Sequence, residues 1–149
     1  MPRRCTWTLY ASRRPVAVWT VCPRPEEAGR MTLEVKHLDK PDERRTFGHG
    51  ELGVVELPGV TVGRVVMHPG WRWSNDVKPI AGTDSCQQPH TTYVLSGRIH
   101  IRMDDGQEAD IGVGECAVIS PGHDAWVVGD EDFVAIDWTA AATYATPAE

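Results

Sequence analysis

The stretch HTTYVLSGRIHIRMDDG at residues 90–106, continued by QEADIGVGECAVISPGHDAW at 107–126, decides the fold of this chain. Short apolar and β-branched runs alternate there with glycine-containing turns. Within residues 98–103, charged or polar side chains alternate with Ile99, Ile101 and Met103. This period of two is typical of a strand with one solvent-exposed face. Asp105-Gly106 is a strong tight-turn signal at the end of that strand. The stretch therefore predicts a series of short antiparallel strands.

The same pattern extends in both directions from this stretch. No segment of ten or more residues has a convincing helical period, so we predict an all-β barrel or jelly roll. Residues 71–89 form a long polar connection, which favours a functional segment or a lid. The predicted organisation is a segment leading into the barrel at 31–49, a barrel at 50–138 and a C-terminal tail at 139–149. The predicted strands are 51–56, 60–67, 91–96, 98–103, 107–111, 115–120, 125–128 and 133–138.

Residues 1–30 differ in composition from the rest. They contain six Arg and two Glu, which gives a net charge of +4. Since the whole chain carries −6, residues 31–149 carry −10. We expect residues 1–30 to form a poorly ordered basic extension. The sequence that begins at Met31 resembles an ordinary protein start. Two alternatives are a twin-arginine export signal around Arg13 and Arg14, and a nucleic-acid-binding arm.

The bulk properties narrow the function. The acidic remainder argues against a nucleic-acid partner, because phosphate binding needs a basic face. No run of about 18 apolar residues exists, which predicts no membrane span. The four cysteines form no CxxC pair, which is typical of reduced thiols in a cytoplasmic protein.

Two glycine-containing motifs resemble those of the cupin superfamily. Residues 93–97 (YVLSG) are similar to the end of its first motif, and residues 114–122 (GECAVISPG) to the start of its second. The resemblance covers roughly residues 50–138. It implies a double-stranded β-helix, usually a homodimer, with a pocket inside the barrel. It also implies one divalent metal, held by two His and a Glu from the first motif and one His from the second.

The positions that match these ligands hold other residues. The first-His position is Asp84, the second-His position is Cys86, and the Glu position is His90. The third-His position falls on Ala125, while His123 stands two residues earlier.

A different ligand set is available at this point of the fold. Cys86, His90 and His123 all lie in turns or at strand mouths that could converge on one ion. Thiolate and imidazole together favour zinc or iron over magnesium or calcium. The alternative is that Cys86 is a small buried apolar residue.

Aromatic and charged residues predict a pocket for a small organic molecule. Trp71, Trp73 and Trp126 would supply apolar walls, and Arg72 and Lys78 could pair with a carboxylate on the ligand. His68 and Asp84 are further candidates for the pocket. The alternative is that the tryptophans cover the barrel ends as core, that His68 is an ordinary hydrogen-bonding group, and that Asp84 holds a turn.

Two functions follow from these alternatives. One is a metal-dependent oxygenase, isomerase or hydrolase that acts on a small molecule. The other is a metal-free, non-catalytic protein that binds or senses a small ligand. Neither a nucleophile elbow nor a phosphate-binding glycine loop is present.

Overall fold

The computed structural model of the protein describes residues 4–7, 18–21 and 33–146. Contacts divide the chain into two units, Met1–Leu33 and Glu34–Glu149. In the first unit, β1 (Arg4–Trp7) pairs antiparallel with β2 (Val18–Val21). The rest of the predicted N-terminal extension, including Arg13 and Arg14, lies outside the described residues.

The second unit is built almost entirely from antiparallel strands. They form a six-stranded sheet in the order β3-β4-β5-β11-β6-β9 and a three-stranded sheet in the order β10-β7-β8. The strands are β3 (Glu43–Phe47), β4 (Gly50–Leu57), β5 (Val60–Met67), β6 (His90–Ser96), β7 (Arg98–Met103), β8 (Glu108–Gly112), β9 (Cys116–Ile119), β10 (His123–Val127) and β11 (Phe133–Asp137).

The eight strands expected from the sequence correspond to β4 through β11, so the predicted all-β class is confirmed. On β7, Ile99 and Ile101 are buried while Arg98 and Arg102 are exposed, as the period of two requires. The turn before β7 needs a glycine. Gly97 has a φ of +69°, and a Cβ there would come within 2.5 Å of the Asp132 carbonyl oxygen.

The sheet extends beyond the predicted barrel boundaries. β3 lies inside the segment predicted only to lead into the barrel, and it pairs with β4 along five residues. Residues predicted as a C-terminal tail pack into the core, with Ala140 and Tyr144 buried. The Arg45 guanidinium on β3 donates hydrogen bonds to the carbonyls of residues 141, 142 and 144. This arginine clasp ties the two ends of the unit together, a long-range contact that local pattern does not report.

The polar connection at 71–89 contains two helical turns, α1 (Trp73–Asp76) and α2 (Lys78–Ala81). After them the backbone of Cys86 forms a bridge with His123, the first residue of β10. The Cys86 N–H donates to the His123 carbonyl at 2.8 Å, and the Gly122 N–H donates to the Cys86 carbonyl at 2.7 Å. These bonds fix the connection against the three-stranded sheet. No helix within the described ranges is long and apolar enough to span a membrane.

Candidate metal centre

Cys86, His90 and His123 are brought together by three different parts of the fold. Cys86 comes from the 71–89 connection, His90 begins β6, and His123 begins β10. One ligand atom from each residue lies within 4.8 Å of the others. Cys86 and His123 are 2% and 3% exposed, so the cluster is shielded from bulk water. Among the described residues, these three are the potential ligands that lie close enough together to hold an ion.

The imidazole of His90 is oriented by a buried carboxylate. Its Nδ1 lies 2.8 Å from Oδ2 of Asp137, and a carboxylate can only accept, so Nδ1 carries the proton. The other oxygen of Asp137 accepts the backbone N–H groups of Thr139 and Ala140 at 2.9 and 2.7 Å. With Nδ1 occupied, Nε2 of His90 is directed to Cys86 Sγ at 3.6 Å.

His123 is held in the same way by the backbone. Its Nδ1 lies 2.8 Å from the Ser120 carbonyl oxygen, which makes Nδ1 the donor and leaves the lone pair on Nε2. Histidines that bind metals almost always donate their second ring N–H to a carboxylate or a carbonyl. Both imidazoles of the cluster show this arrangement.

The electrostatics of the cluster favour a thiolate. Burial raises the pKa of the Cys86 thiol, but hydrogen bonding with His123 and His90 outweighs burial and brings that pKa down to about 6. Burial lowers the pKa of His90, whereas the bonds to Asp137 and Cys86 raise it to about 9. Burial, and then the charge on Cys86, raise the pKa of the Tyr144 hydroxyl well above its usual value, so it stays neutral. Without a metal, the cluster therefore stores a thiolate beside an imidazolium.

The donor set fits a tetrahedral ion. A zinc ion with a Zn–S bond of about 2.3 Å and a Zn–N bond of about 2.0–2.1 Å requires an S···N separation of about 3.6 Å. The Cys86 Sγ to His90 Nε2 distance of 3.6 Å matches this edge. Thiolate and imidazole are ligands that zinc and iron both accept. The residues present therefore fit the group that the cupin resemblance implies, with a different ligand set.

An apolar cavity lies inside the barrel beside the cluster, and we refer to it as the chamber. Its volume is about 60 Å³. His90 and His123 line it together with Thr92 and Asp137, and apolar side chains form most of the remaining wall. A cavity of about 150 Å³ is what a benzene ring occupies, so the chamber accommodates only a few heavy atoms.

The three tryptophans predicted to form one pocket are divided between the two faces of the barrel wall. Trp71 and Trp73 are 1% and 2% exposed and line the chamber, so they serve as core as well as wall. Their indole N–H groups have no hydrogen-bond partner within the described residues. Trp126 is on the outer face, where its ring stacks on His100 with centroids 4.3 Å apart. Arg72 covers the same ring at 4.6 Å.

The remaining predicted pocket residues also lie outside the barrel. Arg72 donates to Asp124 Oδ2 from Nε and Nη2, at 2.9 and 2.7 Å. Lys78 pairs with Asp84 at 3.1 Å, and the Asp84 side chain is fully exposed. His68 pairs with Asp132 at 2.9 Å, with both side chains about half exposed. None of these four predicted residues (His68, Arg72, Lys78 and Asp84) lines the chamber, which corrects the prediction of a single pocket.

Two residues of the site were not predicted from the sequence. Asp137 faces inward on β11, and an acid on the inner side of the apolar strand FVAID was a usable signal. Tyr144 packs its ring against His90 with centroids 5.3 Å apart. Nothing local marks Tyr144, because its segment is held at the cluster by long-range contacts such as the arginine clasp.

The geometry therefore defines a small antiparallel barrel with a buried candidate metal centre. Solved structures with a similar fold support the barrel architecture. A protein of unknown function from Rhizobium leguminosarum bv. viciae 3841 has a TM-score of 0.54 at 19% identity, over 79% of this chain and 100% of that one. An RmlC-like cupin from Shewanella frigidimarina NCIMB 400 has a TM-score of 0.52 at 12% identity, over 75% and 95%. An oxalate decarboxylase from Lactobacillus farciminis, in complex with formate, has a TM-score of 0.51 at 14% identity. That match covers 68% of this chain and about a third (32%) of the enzyme.

The chain thus has the same kind of fold as the RmlC-like cupin, which confirms the fold class expected from the resemblance at residues 93–97 and 114–122. No protein-family model matches the chain. No curated protein matches it either. At these identities the likeness defines the fold, and the function has to be argued from the site.

Proposed function

We propose that this protein binds one zinc or iron ion through Cys86, His90 and His123, and uses it to bind and transform a small molecule. The observation that carries the proposal is the convergence of the three ligand atoms within 4.8 Å, with the second nitrogen of each imidazole already engaged.

Three protein ligands are typical of catalytic rather than structural zinc sites, because the fourth position stays open for water or substrate. The ion would supply Lewis-acid chemistry, or oxygen chemistry in the case of iron. The chain's own residues have separate tasks. Asp137 holds the proton on His90 Nδ1, and the Ser120 carbonyl holds the proton on His123 Nδ1. Trp71 and Trp73 exclude bulk water from the chamber.

The test is a metal titration of the full-length, metal-free protein. We expect one zinc per chain by elemental analysis and a rise in melting temperature on adding zinc. The rise corresponds to about 4 kcal/mol when free zinc exceeds the dissociation constant about a thousandfold. Ferrous iron, added without oxygen, should bind at the same site and be displaced by zinc, as the usual order of divalent affinities requires.

Single substitutions identify the ligands. Cys86→Ala, His90→Ala and His123→Ala should each weaken zinc binding by more than about 100-fold, since even changes in the residues that support a ligand cost 10–100-fold. Cys116→Ala and His68→Ala are the matched controls, because Cys116 is an exposed free thiol and His68 lies outside the chamber. A wild-type protein that gains no stability from zinc or iron would contradict the proposal. That result would favour the metal-free ligand-binding or sensor function.

The expected homodimer and the cytoplasmic location stay predictions. Several exposed apolar side chains on the outer face of the six-stranded sheet are compatible with a partner subunit: Tyr93, Leu95 and Val118. Sedimentation of the purified full-length chain would measure the oligomeric state directly.

A further inference from the structure

A second cavity lies on the other side of Cys86, and we refer to it as the cleft. It is open to solvent, has a volume of about 510 Å³, and is formed by the 71–89 connection and residues 143–146. Trp73 and Tyr144 line both the cleft and the chamber, so these two side chains form the partition between them. Cys86 lines the cleft, whereas His90 and His123 line the chamber. The candidate metal centre therefore lies between a small apolar cavity and a larger one.

The cleft differs from the rest of the protein in the charge of its lining. The chain is rich in charge, with 15 Lys and Arg and 21 Asp and Glu, yet the lining of the cleft includes no charged Lys, Arg, Asp or Glu from the residues that the structure describes. Apart from Cys86, the described lining consists of apolar, hydroxyl and amide side chains. Cys86 Sγ is already directed to His90 Nε2 at 3.6 Å and is not free for a second partner. A charged ligand would therefore lose hydration in the cleft without gaining an ion pair from the described lining, so the cleft favours an uncharged one.

Two glutamine side chains at the edge of the cleft each have one polar group without a hydrogen-bond partner among the described residues. Gln88 Oε1 accepts the Thr143 hydroxyl at 2.9 Å, and its Nε2 has no partner within the described residues. Gln87 Nε2 donates to the Ser85 hydroxyl at 2.9 Å, and its Oε1 has no partner there either. The cleft thus offers one amide donor and one amide acceptor. These two groups are complementary in kind to a carboxamide, which has an NH2 donor group and a carbonyl acceptor.

We propose that the cleft binds an uncharged small molecule with a carboxamide or an equivalent donor–acceptor pair, and that it forms the outer part of the substrate site. The polar end of the ligand contacts Gln87 and Gln88, and its apolar part packs against Trp73 and Val77. The role as a substrate site rests on the proposed metal function, because the ligand reaches the ion past Cys86. The binding itself does not depend on the metal.

Three probes of equal length and different charge test the ligand class: butyramide, butyrate and butylamine. Each is titrated into the full-length protein while backbone and side-chain amide signals are followed by NMR. We expect butyramide to bind in the millimolar range and to shift the signals of Gln87, Gln88 and Thr143. Butyrate and butylamine should bind at least about tenfold more weakly. Equal binding of all three probes, or butyramide shifts confined to residues around Trp126, would overturn the proposal.

A charge placed in the cleft should reverse the preference. Gln88→Glu keeps the size and the acceptor for the Thr143 hydroxyl but makes the cleft anionic. We expect this variant to prefer butylamine over butyramide. Gln107→Glu is the matched control, since Gln107 is exposed in the turn between β7 and β8 and does not line the cleft. A variant Gln88→Glu with the wild-type preference would show that the probe binds elsewhere.

The same titrations in metal-free and zinc-loaded protein separate the two proposals. Butyramide binding in a protein that takes up no zinc would support the cleft and contradict the metal function. Zinc binding without any preference among the probes would support the metal function and contradict the cleft.

Discussion

The barrel wall carries a histidine–aspartate pair on each face, and the two pairs differ in what surrounds them. Inside, His90 Nδ1 lies 2.8 Å from Asp137, and Nε2 is directed to a buried thiol. Outside, His100 Nδ1 lies 2.6 Å from Asp110, and Nε2 lies 3.6 Å from Glu108. The inner aspartate side chain is 9% exposed and the outer one 43%.

The comparison shows that the pair alone does not define a metal ligand. His100 has its second nitrogen beside another carboxylate, and its ring stacks on Trp126, so it serves a surface cluster. His90 has its second nitrogen beside a thiol with a pKa near 6. The histidine–carboxylate bond is common to both pairs. What separates the candidate metal ligand from the surface ion pair is the group beside Nε2 of the histidine and the burial of the pair.

The largest effect expected from this comparison concerns stability. Trp73→Ala, on the inner side, should lower the free energy of unfolding by about 3–5 kcal/mol, since it empties a buried volume. Trp126→Ala removes the same kind of side chain from the outer face and should cost less than about 1 kcal/mol. Urea unfolding of the metal-free variants measures both. Similar costs for the two tryptophans would contradict the division between core and surface.

The next effect concerns zinc affinity. Asp137→Asn should weaken zinc binding by about 10–100-fold, because the amide supports the His90 imidazole less well than a carboxylate does. Asp110→Asn changes the equivalent partner of His100 and should leave the affinity within about twofold. Chelator competition at fixed pH gives both dissociation constants. An unchanged affinity in Asp137→Asn would mean that Asp137 serves only to hold Thr139 and Ala140.

Part of the site could be predicted because strand alternation is a local property. His123 stands two residues before the family's third-histidine position, Ala125, and a shift of two keeps a side chain on the same face of a strand. Arg72 is extended and bridges Trp126, so its side chain covers the outer face while Trp71 and Trp73 line the chamber, and the prediction of one pocket was wrong for Arg72. Asp137 and Tyr144 reach the cluster through sheet pairing and the arginine clasp, both of which join residues distant in the chain.

The arginine clasp gives a third, smaller effect. Arg45→Lys should destabilise the protein by about 1–3 kcal/mol, because one ammonium cannot serve three carbonyls as the guanidinium fork does. Arg44→Lys is the control on the same strand, where the arginine pairs with Glu51 at the surface. Hydrogen exchange should show faster opening of residues 140–146 only in Arg45→Lys. Equal exchange in both variants would mean that packing of Tyr144 alone holds the segment.

The smallest effect is expected at Asp84, the position that matches the family's first histidine. Its side chain is fully exposed and pairs with Lys78 at the surface. Asp84→Ala should therefore leave zinc affinity within about twofold and the free energy of unfolding within about 0.5 kcal/mol. Cys86→Ala, two residues along the same connection, should remove zinc binding altogether. If Asp84→Ala instead lowered the affinity tenfold or more, the ion would have to be bound at the family's spacing. Asp84 would then be a further ligand beside Cys86 and His90, which hold the other two first-motif positions, and its exposed side chain would have to turn inward to reach the ion.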